Sequence, residues 1–476
     1  MSWFFISVIL LIVGYVFYGK FVEKVFGASD KRMTPALRYN DGVDYLPLPL
    51  WKIFLIQFLN IAGLGPVFGA VLGAVYGPVC LLWIVFGSIF AGAVHDYMSG
   101  MFSVRYKGRT LDFLIKKVLS KHFRYVFFAF LVLILVLVGA VFALNPAKML
   151  ADIFDSPVLL WCCIIFGYYF LTTLLPVDKI IGRFYPFFAL LLIVVTISLL
   201  CCLFNIDRQW FPQMEFSNLH PSKIPIFPLM FITVACGAIS GFHATQSPIM
   251  ARCLSKESDG RKIFYGAMIL EGLIALIWAT LGIAFYQNQN LLFDAVSTLG
   301  QGGVVAEISK NLLGDIGSKL TILSVVVLSI TSGDTAFRSA RLTIAETLKL
   351  DQKNIWKRLF LSVAVLASGI VFTFVDITTL WMYFAWANQT LGMITLWALS
   401  VYLKKKDRFY LVTLMPALFM TMVCSSYILH EKIGFNMSLT NAKITASIIS
   451  FILFVAFFKF TKKNNTKMTE FEKSVI

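Results

Sequence analysis

Between Phe231 and Pro248 an apolar run interrupts itself. The stretch reads FITVACGAISGFHATQSP, and Gly237, Ser240, Gly241, His243, Thr245, Gln246, Ser247 and Pro248 crowd into what is otherwise hydrocarbon. Lipid offers nothing to hydrogen-bond the backbone exposed by such a break, so irregular backbone survives at membrane depth only when buried in protein or lining a wet cavity. A second interrupted run, QFLNIAGLGPVFG, lies at Gln57–Gly69. Paired Gly/Pro interruptions in two halves of a chain are the best sequence pointer to the binding site of a transporter.

The rest of the composition places both runs in a bilayer. The 476 residues are 59% hydrophobic and 14% charged, and the mean hydropathy is +0.81, outside the range of soluble domains. About thirteen runs are long enough to cross roughly 30 Å of hydrocarbon. They fall near 3–18, 52–76, 78–104, 123–144, 158–175, 186–204, 226–249, 263–286, 316–333, 359–375, 380–403, 409–429 and 441–460. The first has its basic residues after the apolar run and no small-residue cleavage site, so it reads as a retained anchor.

The net charge of +16 is a topology signal. With the N-terminus outside, 34 of the 41 Lys and Arg fall in segments that become cytoplasmic, as the positive-inside rule requires. The basic excess therefore faces anionic lipid at the inner surface of the bilayer, and no nucleic-acid partner is expected. The eight Cys show neither a paired extracellular framework nor metal-ligand spacing. No metal or cofactor is expected.

Taken in order, the expected units are 1–51 (an N-terminal helix and basic loop), 52–204 (a first five-helix repeat) and 225–403 (a second). Then come 404–460 (two peripheral helices) and 461–476 (a disordered cytoplasmic tail). The second to sixth spans make the first repeat and the next five begin at the seventh, so an odd-numbered repeat inserts upside down, each copy beginning with a broken helix. The expected fold is an all-α polytopic membrane protein with this inverted five-plus-five repeat.

The first break carries Asn60, Gly63, Gly65 and Pro66. Pro66 cannot donate and crowds the preceding turn, leaving a half-helix N-terminus suited to an anion; a plain kink with Gly for close packing is the competing reading. The second break offers Gly237, Ser240, Gly241, His243 and Thr245 as substrate contacts. Glu271 lies well inside the eighth span as a proton carrier or as a structural partner of a helix break. Thr331, Ser332 and Asp334 could hold Na⁺ through oxygen, or Asp334 could carry a proton; alternatively Asp334 pairs with Arg338 at i+4. His95 and Asp96, near Arg105 and Lys107, read as an inner-gate salt bridge. Spans four to six read as apolar scaffold, and the eleventh, with Trp386, Asn388 and Gln389, borders the core.

The runs NIAGLGPVFGAVLGAVYG from Asn60, ACGAISGFHATQSPIMARCLSKESDGRKIFYGAMILEG from Ala235 and TSGDTAFRSAR from Thr331 resemble the carbon starvation protein A family. The resemblance implies a bacterial inner-membrane uptake carrier, induced on carbon starvation, for peptides or for pyruvate taken up with protons. It also implies the fold of the amino acid–polyamine–organocation transporters. By position, Asn60–Pro66 and Gly237–His243 match the family's breaks, and Asp334 matches an acidic signature position.

The expected function is thus secondary uptake of a short peptide or small carboxylate, with H⁺ or Na⁺ as the coupling ion. Two rivals remain: a membrane nutrient sensor, and an intramembrane enzyme using His95, Asp96 or His243 as base. The second lacks H-E-x-x-H, G-x-S-x-G and P-loop patterns, and the five His are scattered over different segments.

Overall fold

The computed structural model of the chain describes residues 2–42, 45–118, 121–174, 177–204, 212–234, 236–350 and 354–462. Every regular element among them is helical. Nine described helices are long and apolar enough to cross a membrane, and ten if the bent pair Leu50–Ile61 and Gly65–Ala74 is one span. The expected count of thirteen spans is not reached by that measure. Val158–Thr172 is a shorter apolar helix, and the span expected at 226–249 is divided between Phe231–Thr233 and His243–Ala251. Beyond Lys462 the expected disordered tail lies outside the described residues.

One long helical element, Gln289–Leu348, is in fact three. Gly300 (φ 68°) and Gly314 (φ 71°) interrupt it, at dihedrals that residues with a Cβ rarely adopt. Asn288 caps its start, its side chain accepting from the backbone of Asn290 and Leu291.

Burial separates a centre from a rim. In Val79–Arg105 and Glu257–Tyr286, 83% of the most apolar window is buried, against 17% in the C-terminal helix Leu439–Lys462. Rim helices turn Phe, Ile and Leu outward, as with Phe451, Ile452, Leu159 and Phe187, where lipid is their solvent. Between central helices small residues permit close approach. Gly100 lies under the Phe264 ring, while Phe337 fills the space left by Gly139 and Gly369.

The N-terminal helix, expected as an accessory anchor, is tied to the centre. Glu257, 2% exposed, accepts from the Ser29 backbone N–H at 2.8 Å, from Arg32 at 3.2 Å and from Arg105 at 3.5 Å. Arg105 also donates to the Gly27 carbonyl at 2.5 Å, and Arg261 pairs with Glu23 at 2.8 Å. Changing Glu257 to Ala removes the shared acceptor of three donors. A loss of about 2 kcal/mol is expected, read as a lower thermal midpoint of the detergent-purified protein; an unchanged midpoint would mean the tie is not structural.

Candidate functional site

The helix Leu50–Ile61 stops at Ala62 (φ −72°, ψ 54°), and the chain restarts at Gly65 bent by 57°. Pro66 stands in the first turn of the new segment, where its missing N–H costs nothing. In the second interruption Phe231–Thr233 ends at Val234 (φ −89°, ψ 50°), and helix resumes at His243.

The two interruptions cross. A Cβ built on Gly65 would lie 2.0 Å from Cys236 Cβ, and one on Gly237 would come 3.7 Å from Pro66 Cα. At Gly65 only glycine allows this approach. A third element joins them: Ser332 Oγ donates to the Asn60 carbonyl at 3.2 Å and lies 3.5 Å from the Cβ position of Gly63. Asn60 and Gln57, one turn apart, are completely buried, and their side-chain amides have no hydrogen-bond partner within the protein. Buried amides of this kind are normally satisfied, which makes Gln57 and Asn60 candidates for contact with a bound molecule.

The helix N-terminus at Gly241–Thr245, expected among the substrate contacts, is already capped by the protein. Asn388 Oδ1 accepts from the Phe242 N–H at 2.8 Å and from Ser240 Oγ at 3.2 Å, and the Asn388 carbonyl accepts from Gly241 N–H at 3.2 Å. Thr245 Oγ1 is spent on the Phe242 carbonyl at 2.6 Å. The polar pair Asn388-Gln389 stood out in the sequence, but its partner 146 residues away did not. Asn388→Ala should cost about 2 kcal/mol by leaving these donors unpaired, seen as a lower thermal midpoint; Asn388→Asp, which keeps the acceptor, should lose less.

A chain of ionisable groups runs beside the crossing. His95 Nδ1 is 2.8 Å from Asp96 Oδ1, and His243 Nδ1 is 2.8 Å from Asp96 Oδ2. His243 Nε2 is 3.5 Å from Glu271 Oε2, and all four side chains are fully buried. Neither Glu271 oxygen has a hydrogen-bond partner within the protein. The Glu271 helix abuts the second break, since Ser88 Oγ donates to the Gly237 carbonyl at 2.9 Å and Gly272 lies against that Ser88. Asp96 meets the imidazoles of His95 and His243, while Arg105 holds Glu257 and the Gly27 carbonyl.

Thr331, Ser332 and Asp334 do not converge on one point. Thr331 Oγ1 donates to Leu328 of its own helix at 2.9 Å, and Ser332 turns to Asn60. Asp334 accepts from Thr172 and, at 3.1 Å, from Tyr185, with Arg338 3.8 Å away. Arg338 in turn donates to the Thr172 carbonyl at 3.0 Å. The i+4 partner was legible; Thr172 and Tyr185 were not, because hydroxyls in apolar helices give no distinguishing pattern. No group of three or more His, Cys, Asp or Glu among the described residues is arranged to hold a metal ion.

Comparison with known proteins agrees with this architecture. A solved manganese transporter of Eremococcus coleocola superposes with a TM-score of 0.57 over 88% of this chain and 97% of that one, at 15% identity; it shares the fold. An uncharacterized membrane protein of Haemophilus influenzae is 45% identical over 62% of this chain and 94% of its own length. The peptide transporter CstA of Bacillus subtilis is 27% identical over 94% of both chains. The pyruvate/proton symporter BtsT of Escherichia coli is 30% identical over 57% of this chain, but the match spans only 47% of that symporter, about half its length. The pattern of the family described as carbon starvation protein CstA matches residues 1–158, 144–301 and 295–426; the chain belongs to that family.

Proposed function

We propose that this protein is a secondary carrier of the cytoplasmic membrane that takes up a small carboxylate such as pyruvate, or a short peptide, together with protons. The observation that carries this reading is the crossing of two interrupted helices, at Gly65 against Cys236, beside the buried Glu271. Unwound backbone meeting at one depth is the construction that transporters use for a substrate site. An unpartnered buried carboxyl is the group such carriers protonate and release.

The substrate carboxylate sits at the first break, against the N-terminal end of the Gly65 segment and the amides of Asn60 and Gln57. The positive end of a half-helix favours a negative charge there. Glu271 carries the coupling proton. Asp334 is assigned a structural role because Thr172, Tyr185 and Arg338 already engage its carboxylate. Alternating access rocks the broken helices of an inverted repeat, 52–204 against 225–403, with the N-terminus outside and basic loops at the cytoplasmic face. Induction on carbon starvation fits a carrier that recovers small organic acids or peptides.

Purified protein in liposomes should accumulate labelled pyruvate or dipeptide when the outside is acid, and not when a Na⁺ gradient replaces the pH gradient. A panel of both substrate classes that gives no accumulation under either gradient would remove the carrier reading.

A further inference from the structure

His243 is aimed at Glu271 and braced from behind. Its Nε2 lies 3.5 Å from Glu271 Oε2, and its Nδ1 lies 2.8 Å from Asp96 Oδ2. The other Asp96 oxygen is held by His95 Nδ1 at 2.8 Å. An ionised carboxylate only accepts, so each imidazole turned to it presents Nδ1–H. That fixes the His243 tautomer with its Nε2 lone pair free, and Nε2 has no hydrogen-bond partner within the protein. The arrangement is the orienting logic of a carboxylate behind an imidazole base, placed at membrane depth where the His95 and His243 side chains have no exposure to solvent.

We infer that His243 is the base that unloads the coupling proton from Glu271, with Asp96 as its orienting counter-charge and His95 as the residue that positions Asp96. This rests on the carrier reading above and adds to it the route by which the proton leaves. In the step, the Glu271 Oε2–H bond breaks as the His243 Nε2–H bond forms. Glu271 becomes a carboxylate and His243 an imidazolium between Glu271 and Asp96, with total charge unchanged. The proton then departs from His243 when the site opens to the receiving side. Without Asp96 the imidazolium would form in a buried place with no partner behind it, a costly state.

The groups around this pair come from five elements. Val79–Arg105 supplies His95 and Asp96, His243–Ala251 supplies His243, and Glu257–Tyr286 supplies Glu271. The second break adds the Cys236 thiol, which lies within the electrostatic reach of Glu271. Leu50–Ile61 packs against the helices of both residues, and its buried polar side chains, Gln57 and Asn60, are neutral amides. Tyr97, next to Asp96, packs its ring against Phe26 instead.

The test compares two modes of transport in the same liposomes. Accumulation driven by a pH gradient needs the proton to leave on every cycle. Counterflow exchange of labelled for unlabelled substrate at equal pH lets the loaded carrier return without releasing it. Asp96→Asn and His243→Gln should each cut accumulation by about a hundredfold while cutting counterflow by less than about threefold, and His243→Gln should flatten the pH profile of uptake. Asp96→Glu should recover part of the accumulation. If Asp96→Asn accumulates like the wild type, the hand-off is wrong while the carrier reading stands. If both modes fall together in both variants, the cluster is structural and the inference fails. If the wild type itself does not accumulate, the carrier reading fails first.

Discussion

Glu271→Gln is expected to abolish pH-driven accumulation, by about a hundredfold or more, with the protein folded and still exchanging substrate. The side chain is fully buried between apolar turns, and no group within the protein hydrogen-bonds its oxygens. Gln has nearly the same shape and so leaves the packing against Gly237 and Ser88 in place. It cannot release a proton, which leaves the carrier fixed in a form equivalent to the loaded one. Initial rates and plateau levels in liposomes under an imposed pH gradient measure this. A variant that keeps a third or more of wild-type accumulation would show that the coupling proton travels elsewhere.

The second large effect is structural. Gly241→Ala places a Cβ 2.3 Å from the Gly392 nitrogen and 2.4 Å from the Asn388 carbonyl oxygen. Both are backbone atoms, so no side chain can swing aside. The helix Ile377–Lys405 must separate from the second break, pulling Asn388 from Phe242 and Ser240. About 3 kcal/mol is expected for the overpacking, with the capping bonds lost in addition. The readout is a collapse in the yield of monodisperse protein and in its thermal midpoint. Gly167→Ala is the control: nothing stands within 4 Å of its Cβ position, and the midpoint should hardly move. Equal midpoints for the two variants would contradict the close approach.

Much of this candidate site is legible in the sequence. Pro66 with its flanking glycines, and the polar crowd from Gly237 to Pro248, mark the breaks because hydrocarbon tolerates neither proline nor bare backbone without a reason. Glu271 announces itself by charge alone. What the pattern does not carry is which groups meet. Asp96 and His243 are 147 residues apart, and the nearer cation, Arg105, offered a simpler partner that the fold spends on Glu257. Asp334 likewise showed its i+4 neighbour Arg338, a local relation, but hid Thr172, in an apolar helix, and Tyr185, just ahead of the apolar run 186–204. Asn388 is the clearest case: an amide in an apolar helix signals that something must pair with it, and only the fold tells that the partner is a helix start.

The transported carboxylate is expected to lie where the two interrupted helices cross. A cryo-EM structure of the protein with saturating substrate tests it most directly. Ligand density is expected against the Gly63–Pro66 segment, with its carboxylate within hydrogen-bond distance of the Asn60 or Gln57 amide and its far end toward Glu271. Density bound instead at the Asp334 cluster, or between the outer faces of the rim helices, would contradict it.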